Sequence, residues 1–173
     1  LITQSGFVGL IGRPNAGKST LLNAILGEKL AIVSSKPQTT RNRLLGVKTI
    51  KQAQVAFVDT PGLHKVSGHS LLSRFMSQES LAVLEEVDVL VLVIQIDKSK
   101  RKLNFDVGDQ YILKNLPKDK PVILAINKID LVRDRGHLLP LMTYWQKTFP
   151  FVAVVPISAK NEEGISSLLQ EIA

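Results

Sequence analysis

With 173 residues, 45% of them hydrophobic, and no cysteine, the chain can form one domain that buries about 70% of its unfolded surface unaided, while a disulfide framework and a thiolate metal site are excluded. The longest apolar run, 87–96, is broken by Asp88 and Gln95, so none reaches membrane-spanning length, and segment 1–5 is too short and uncharged to read as a secretory signal. A formal net charge of +7 favours polyanionic partners such as a nucleotide or an RNA.

In chain order, the first apolar run, 7–11, predicts a strand and 18–26 a helix. Between them lies Gly12-Arg13-Pro14-Asn15-Ala16-Gly17-Lys18-Ser19. A strand, a glycine loop of this spacing and a helix start together cradle phosphate, because backbone N–H groups and the helix N-terminus converge on one anion. Asn15, Ala16, Gly17, Lys18, Ser19 and Thr20 are the expected phosphate contacts. Lys18 supplies a point charge to the β- and γ-phosphates, and the Ser19 hydroxyl suits one position of an octahedral Mg²⁺. Residues 27–43 form a long connection carrying Thr39 and Thr40. Thr40 is the preferred further Mg²⁺ ligand and γ-phosphate contact, with Thr39 the alternative.

The runs 44–50 and 55–58 predict strands too close together for a crossover helix, hence an antiparallel hairpin at one sheet edge. Directly after the second comes Asp59-Thr60-Pro61-Gly62. By itself such a tetrad is a common turn. Placed at a strand end, Asp59 can hold Mg²⁺ through a water and the Gly62 N–H can reach a γ-phosphate. A helix is predicted over 70–84, a strand over 87–94, a helix over 105–116 and a strand over 122–126. Asn127-Lys128-Ile129-Asp130 follows that last strand. The Asp130 carboxylate can accept from N1–H and the 2-amino group of guanine, a pair adenine lacks, so a wrong base strands a buried carboxylate and discrimination of about 10⁴ is within reach. Asn127 braces the loops and the Lys128 stem covers one face of the base. A helix over 133–148, a strand over 152–157 and a helix over 165–172 complete the pattern, with Ser158-Ala159-Lys160 after the last strand and the Ala159 N–H expected at the guanine O6.

Alternating strands and helices predict an α/β, three-layer P-loop domain over 1–173 with a six-stranded, mostly parallel sheet and one antiparallel edge strand. His64, His69 and His137 lack metal-ligand spacing, and Tyr144 and Trp145 read as packing residues.

The phosphate loop, Pro37-Gln38-Thr39-Thr40-Arg41, Asp59 to Lys65, Asn127 to Asp130 and Ile157 to Lys160 together resemble the TrmE-Era-EngA-like family of P-loop GTPases, its Era branch above all. The resemblance covers essentially the whole chain and implies a slow GTPase that turns GTP into GDP and phosphate with Mg²⁺. It implies a cytoplasmic monomer, with peripheral contact at the inner face of the cell membrane as a further option, acting in assembly of the small (30S) ribosomal subunit and maturation of 16S rRNA. In that branch the RNA is bound by a C-terminal KH domain, and no KH-type Gly-x-x-Gly follows within these residues. Where better-known GTPases place a water-orienting glutamine this chain has Leu63. The resemblance then implies K⁺ beside the phosphates, held with the help of Asn15. Lys18, Thr40, Gly62 and Asn15 are the expected catalytic set. The alternatives are a Der- or MnmE-like GTPase in 50S assembly or tRNA modification, an ATP-dependent kinase sharing only the phosphate loop, and a nucleotide-binding scaffold with negligible hydrolysis.

Overall fold

Short β-branched runs supply the sheet: β1 (Gln4–Ile11), β2 (Arg43–Ile50), β3 (Ala53–Asp59), β4 (Val89–Gln95), β5 (Val122–Asn127) and β6 (Ala153–Pro156). The computed structural model of the chain describes residues 2–27, 43–59, 84–96 and 107–173. The strands lie in the order β2-β3-β1-β4-β5-β6. β4 and β5 sit inside the sheet and are apolar almost throughout, as parallel strands covered on both faces must be. β1 runs parallel to β3 and β4, and β5 to β4 and β6. β2 is antiparallel to β3 at the edge, as the short spacer required, and the turn is tighter than expected, Lys51 and Gln52 alone.

Among the described residues the named helices are α1 (Lys18–Leu26), α2 (Val107–Asn115), α3 (Leu138–Thr148) and α4 (Ile165–Ile172), and the helix expected over 70–84 lies outside the described residues up to position 83. Alternate residues of a strand point to opposite faces, and each face has its own core. On one, Leu21 and Ile25 of α1 and Ile165, Leu168 and Ile172 of α4 pack with Leu10, Phe57, Val91 and Ile123. On the other, Ile112 and Leu113 of α2 and Trp145 of α3 pack with Ile11, Val58, Leu92 and Leu124. This is the expected three-layer α/β arrangement. Fully burying a leucine such as Leu168 contributes about 2–3 kcal/mol.

The helix expected over 133–148 begins only at Leu138, preceded by 3₁₀ turns at Ile129–Leu131 and Arg135–His137. Pro140 explains the late start: without an N–H it fits the first turn of α3 but would break a helix begun at 133. The Asp134 carboxylate accepts from the Gly136 N–H at 2.9 Å and holds the non-helical turn. The last strand is assigned as Ala153–Pro156 rather than 152–157, yet Val152 and Ile157 still donate to Val122 and Ile126 of β5 at 3.0 and 2.8 Å.

All five parallel strands point the same way, so Ile11, Asp59, Gln95, Asn127 and Pro156 end along one edge of the sheet. Leu10 lies beside Asp59 and Gln95 beside Asn127. Ligands of open α/β sheets sit beyond such an edge.

Candidate functional site

Between β1 and α1 the chain turns back on itself through the glycine loop. Gly12 (φ 149°) passes directly over β4, where a Cβ would come within 2.2 Å of the Val93 carbonyl oxygen. Left-handed backbone at Asn15 (φ 64°) and Gly17 (φ 98°) bends the loop in the way that turns successive N–H groups into an anion-binding hollow. Gly17 is the N-cap of α1, and the first turn has no acidic residue to repel an anion. Lys18 is buried, and its ammonium donates to the carbonyls of Gly12 and Arg13 at 2.7 and 2.8 Å, spanning the loop. Ser19 and Thr20 are exposed on the same first turn.

The second half of the site is joined to the first by one side chain. Asn127, 2% exposed at the end of β5, donates through Nδ2 to the Ala16 carbonyl at 2.8 Å. Its Oδ1 accepts from the Lys128 N–H at 2.8 Å and the Ala159 N–H at 3.0 Å. One carboxamide thus ties the phosphate loop to both segments expected to read the base. Lys128, left-handed at φ 67°, sends its ammonium back to the Asn15 carbonyl at 2.8 Å and to Gln95 Oε1. The Ser158 hydroxyl donates to Asp130 Oδ1 at 2.7 Å, which fixes the carboxylate. Ser158 and Ala159 are buried and Lys160 is exposed. The Ala159 N–H, expected at a guanine O6, donates to Asn127.

Asp59 ends β3 beside the loop strand. Thr39, Thr40, Gly62, Leu63, His64 and His69 lie outside the described residues. Among those described, no group of three or more His, Asp or Glu could hold a metal; His137 is exposed, 3.5 Å from Asp134. Three further residues at the site were missed in the sequence. Gln95 closes an apolar strand with a polar residue, the position Asn127 occupies one strand over, and that was the only signal it gave. Arg135 and Glu163 form a bidentate ion pair across 28 residues. Hydrogen bonding to Arg135 holds the Glu163 carboxyl below its ordinary range, and Glu163 in turn raises the guanidinium.

Against known proteins, the profile of the family described as 50S ribosome-binding GTPase matches residues 7–128, from β1 through the phosphate loop to Lys128. The chain belongs to this GTPase family. Within the family it is similar to Era proteins. It is 47% identical to GTPase Era of Lacticaseibacillus paracasei over 96% of this chain and 53% of that protein. Among solved structures, Era in complex with MgGDPNP and nucleotides 1506–1542 of 16S ribosomal RNA superposes with a TM-score of 0.73 at 40% identity, over 97% of this chain and 55% of that one. An Aquifex aeolicus Era variant bound to GDP·AlF4⁻ gives the same TM-score at 37% identity, over 98% of this chain and 56% of that one. The chain therefore spans about half the length of the Era relatives it matches. No described helix of this GTPase-family chain is long and apolar enough to cross a membrane.

Proposed function

We propose that these residues form the G domain of an Era-type GTPase, which binds GTP and hydrolyses it to GDP and phosphate. The observation that carries the reading is the Asn127 carboxamide, which joins the Ala16 carbonyl to the Lys128 and Ala159 amides and so makes one rim of the phosphate loop and the base loops. Backbone amides of 15–20 and the Lys18 ammonium would take the phosphates, the ammonium exchanging its loop carbonyls for phosphate oxygens. Asp130 would accept from guanine, Lys128 would cover one face of the ring, and Ser158, Ala159 and Lys160 would border the base.

Hard oxygen donors suit Mg²⁺, and Ser19 and Asp59 stand on the loop helix and the neighbouring strand end. With Thr40 they are the proposed ligands, and the ion would neutralise charge on the β- and γ-phosphates when bound. Gly62 would sense the γ-phosphate. The Asn15 side chain adds an oxygen donor on an exposed turn, which supports K⁺ as a second cation. Turnover that is slow in NaCl and faster in KCl at equal ionic strength is expected, and equal rates would remove the K⁺ reading.

In the whole protein this switch would serve 30S assembly and 16S rRNA maturation in the cytoplasm, the RNA being read outside these 173 residues by a KH domain. Peripheral membrane contact and a monomeric state belong to the same proposal. The family's description favours a second reading, 50S assembly; co-sedimentation of the full-length protein with isolated 30S or 50S subunits separates the two.

Calorimetry with GTP and ATP, followed by single-turnover phosphate release, tests the domain reading. GTP should bind tighter than ATP by about 10⁴-fold, and Lys18→Ala should abolish release. Equal binding of the two would refute it, and GTP binding without release would leave a scaffold.

A further inference from the structure

Asp130 and Ser158 meet at 2.7 Å. Five positions along each segment, at 135 and 163, a second pair meets: both terminal guanidinium nitrogens of Arg135 donate to the Glu163 carboxylate, one bond at 2.8 Å. Two segments of chain are therefore laced together by two rungs, one at the base-reading carboxylate and one outside it.

Backbone bonds join the rungs. The Ser158 N–H donates to the Glu163 carbonyl at 3.0 Å and the Glu163 N–H returns to the Ser158 carbonyl at 3.1 Å, an isolated antiparallel bridge. Glu162 (φ 57°) and Gly164 (φ 75°) are left-handed on either side of Glu163. Inside the loop the Asn161 N–H donates to Ser158 Oγ at 3.2 Å, so that oxygen accepts one bond while its single proton is aimed at Asp130. Any shift of Glu163 is passed through two backbone bonds to the residue that orients the carboxylate.

We propose that Arg135 and Glu163 are positioning residues that set preference for guanine over hypoxanthine by holding Asp130 in place through the Ser158–Glu163 bridge. The proposal rests on the guanine reading above. Hypoxanthine keeps the N1–H of guanine and lacks the 2-amino group. A carboxylate must be aligned to accept from both guanine donors while Oδ1 also accepts from Ser158. When it swings, the 2-amino bond is lost and the advantage of guanine shrinks, while N1–H can still be met. Charge works in the same direction: the Arg135 hydrogen bond lowers the Glu163 carboxyl and the Asp130 charge pushes it back up. Without Arg135, two carboxylates repel across the bridge.

Dissociation constants for GDP and IDP test this in the wild type, Arg135→Gln, Glu163→Gln, Arg135→Lys and the swapped pair Arg135→Glu with Glu163→Arg. The GDP-over-IDP ratio should fall about two- to fivefold in the two glutamine variants, the range an exposed ion pair sustains. Arg135→Lys, which keeps the charge and loses the fork, should fall between, and the swapped pair should return toward wild type. If the pair only stabilised the loop, GDP and IDP would weaken together, and an unchanged ratio overturns the proposal. A wild type that binds GDP no better than ADP would instead remove the base reading, and this proposal with it.

Discussion

Gly17 shows how little room the site leaves. A methyl group on it would sit 2.2 Å from Asn127 Nδ2, on backbone at φ 98° that side chains rarely adopt, so Gly17→Ala strains the loop and pushes the carboxamide off the Ala16 carbonyl. Stability should fall by about 1–3 kcal/mol in urea titrations and GDP affinity by at least ~10-fold, since the two halves of the rim lose their shared bond. On the proposed reading Asp130 governs the base. Asp130→Asn puts an amide donor where guanine presents only donors, so GTP binding should weaken about 10- to 100-fold. Xanthosine triphosphate, with an oxygen at position 2, should gain, and competition binding of the two nucleotides measures the exchange. These residues were legible in the sequence because phosphate and guanine impose particular side chains at fixed spacing after strands. Gln95, Arg135 and Glu163 were not, since each acts on a partner distant in sequence and no local pattern announces it.

Among the elements, α1 and α4 were read to the residue, each carrying a one-sided apolar stripe that starts directly after a glycine in left-handed backbone, Gly17 and Gly164. α3 was misjudged by five positions because residues 133–137, Arg-Asp-Arg-Gly-His, carry no apolar residue that could mark a helix boundary, and Asp134 and Pro140 hold them out of the helix. Those 3₁₀ turns carry Arg135 against the loop before α4, and the contact has a pH signature. The Glu163 carboxyl lies below its reference value of 4.5 in the folded chain. A depressed acid stabilises above its unfolded pKa, and that contribution is lost as pH falls through the lower folded value. Wild type and Glu163→Gln should therefore differ in thermal midpoint at pH 7 and converge as the pH falls below the reference value and through the lower folded one. A scan of Tm against pH for both proteins shows whether the curves meet.

For the molecule as a whole, the alternation of strands and helices dictated three layers, and the short spacer before β3 dictated the edge hairpin. The lateral order β2-β3-β1-β4-β5-β6 was not in the pattern, because periodicity says which faces are apolar and nothing about which strand becomes whose neighbour. That order places the glycine loop after a central strand, with strand ends on both sides. A ligand gripped there is held by segments from most of the chain, so binding should stabilise the fold globally. At about 100 times its Kd, GDP with Mg²⁺ should add ~2.7 kcal/mol, equivalent to roughly 5–10 °C in Tm for a chain of this size. ADP at the same concentration should leave the melting curve unmoved, as differential scanning calorimetry can verify.

The double engagement of Asn127, with the Ala16 carbonyl on one side and the Ala159 amide on the other, makes affinity for the parts of a nucleotide inseparable. Guanosine and pyrophosphate offered as fragments would each draw the same carboxamide taut, so either should raise the affinity for its counterpart, and by the same factor in both directions. Such cooperativity means that the free energy of the intact ligand exceeds what the fragments return when measured one at a time.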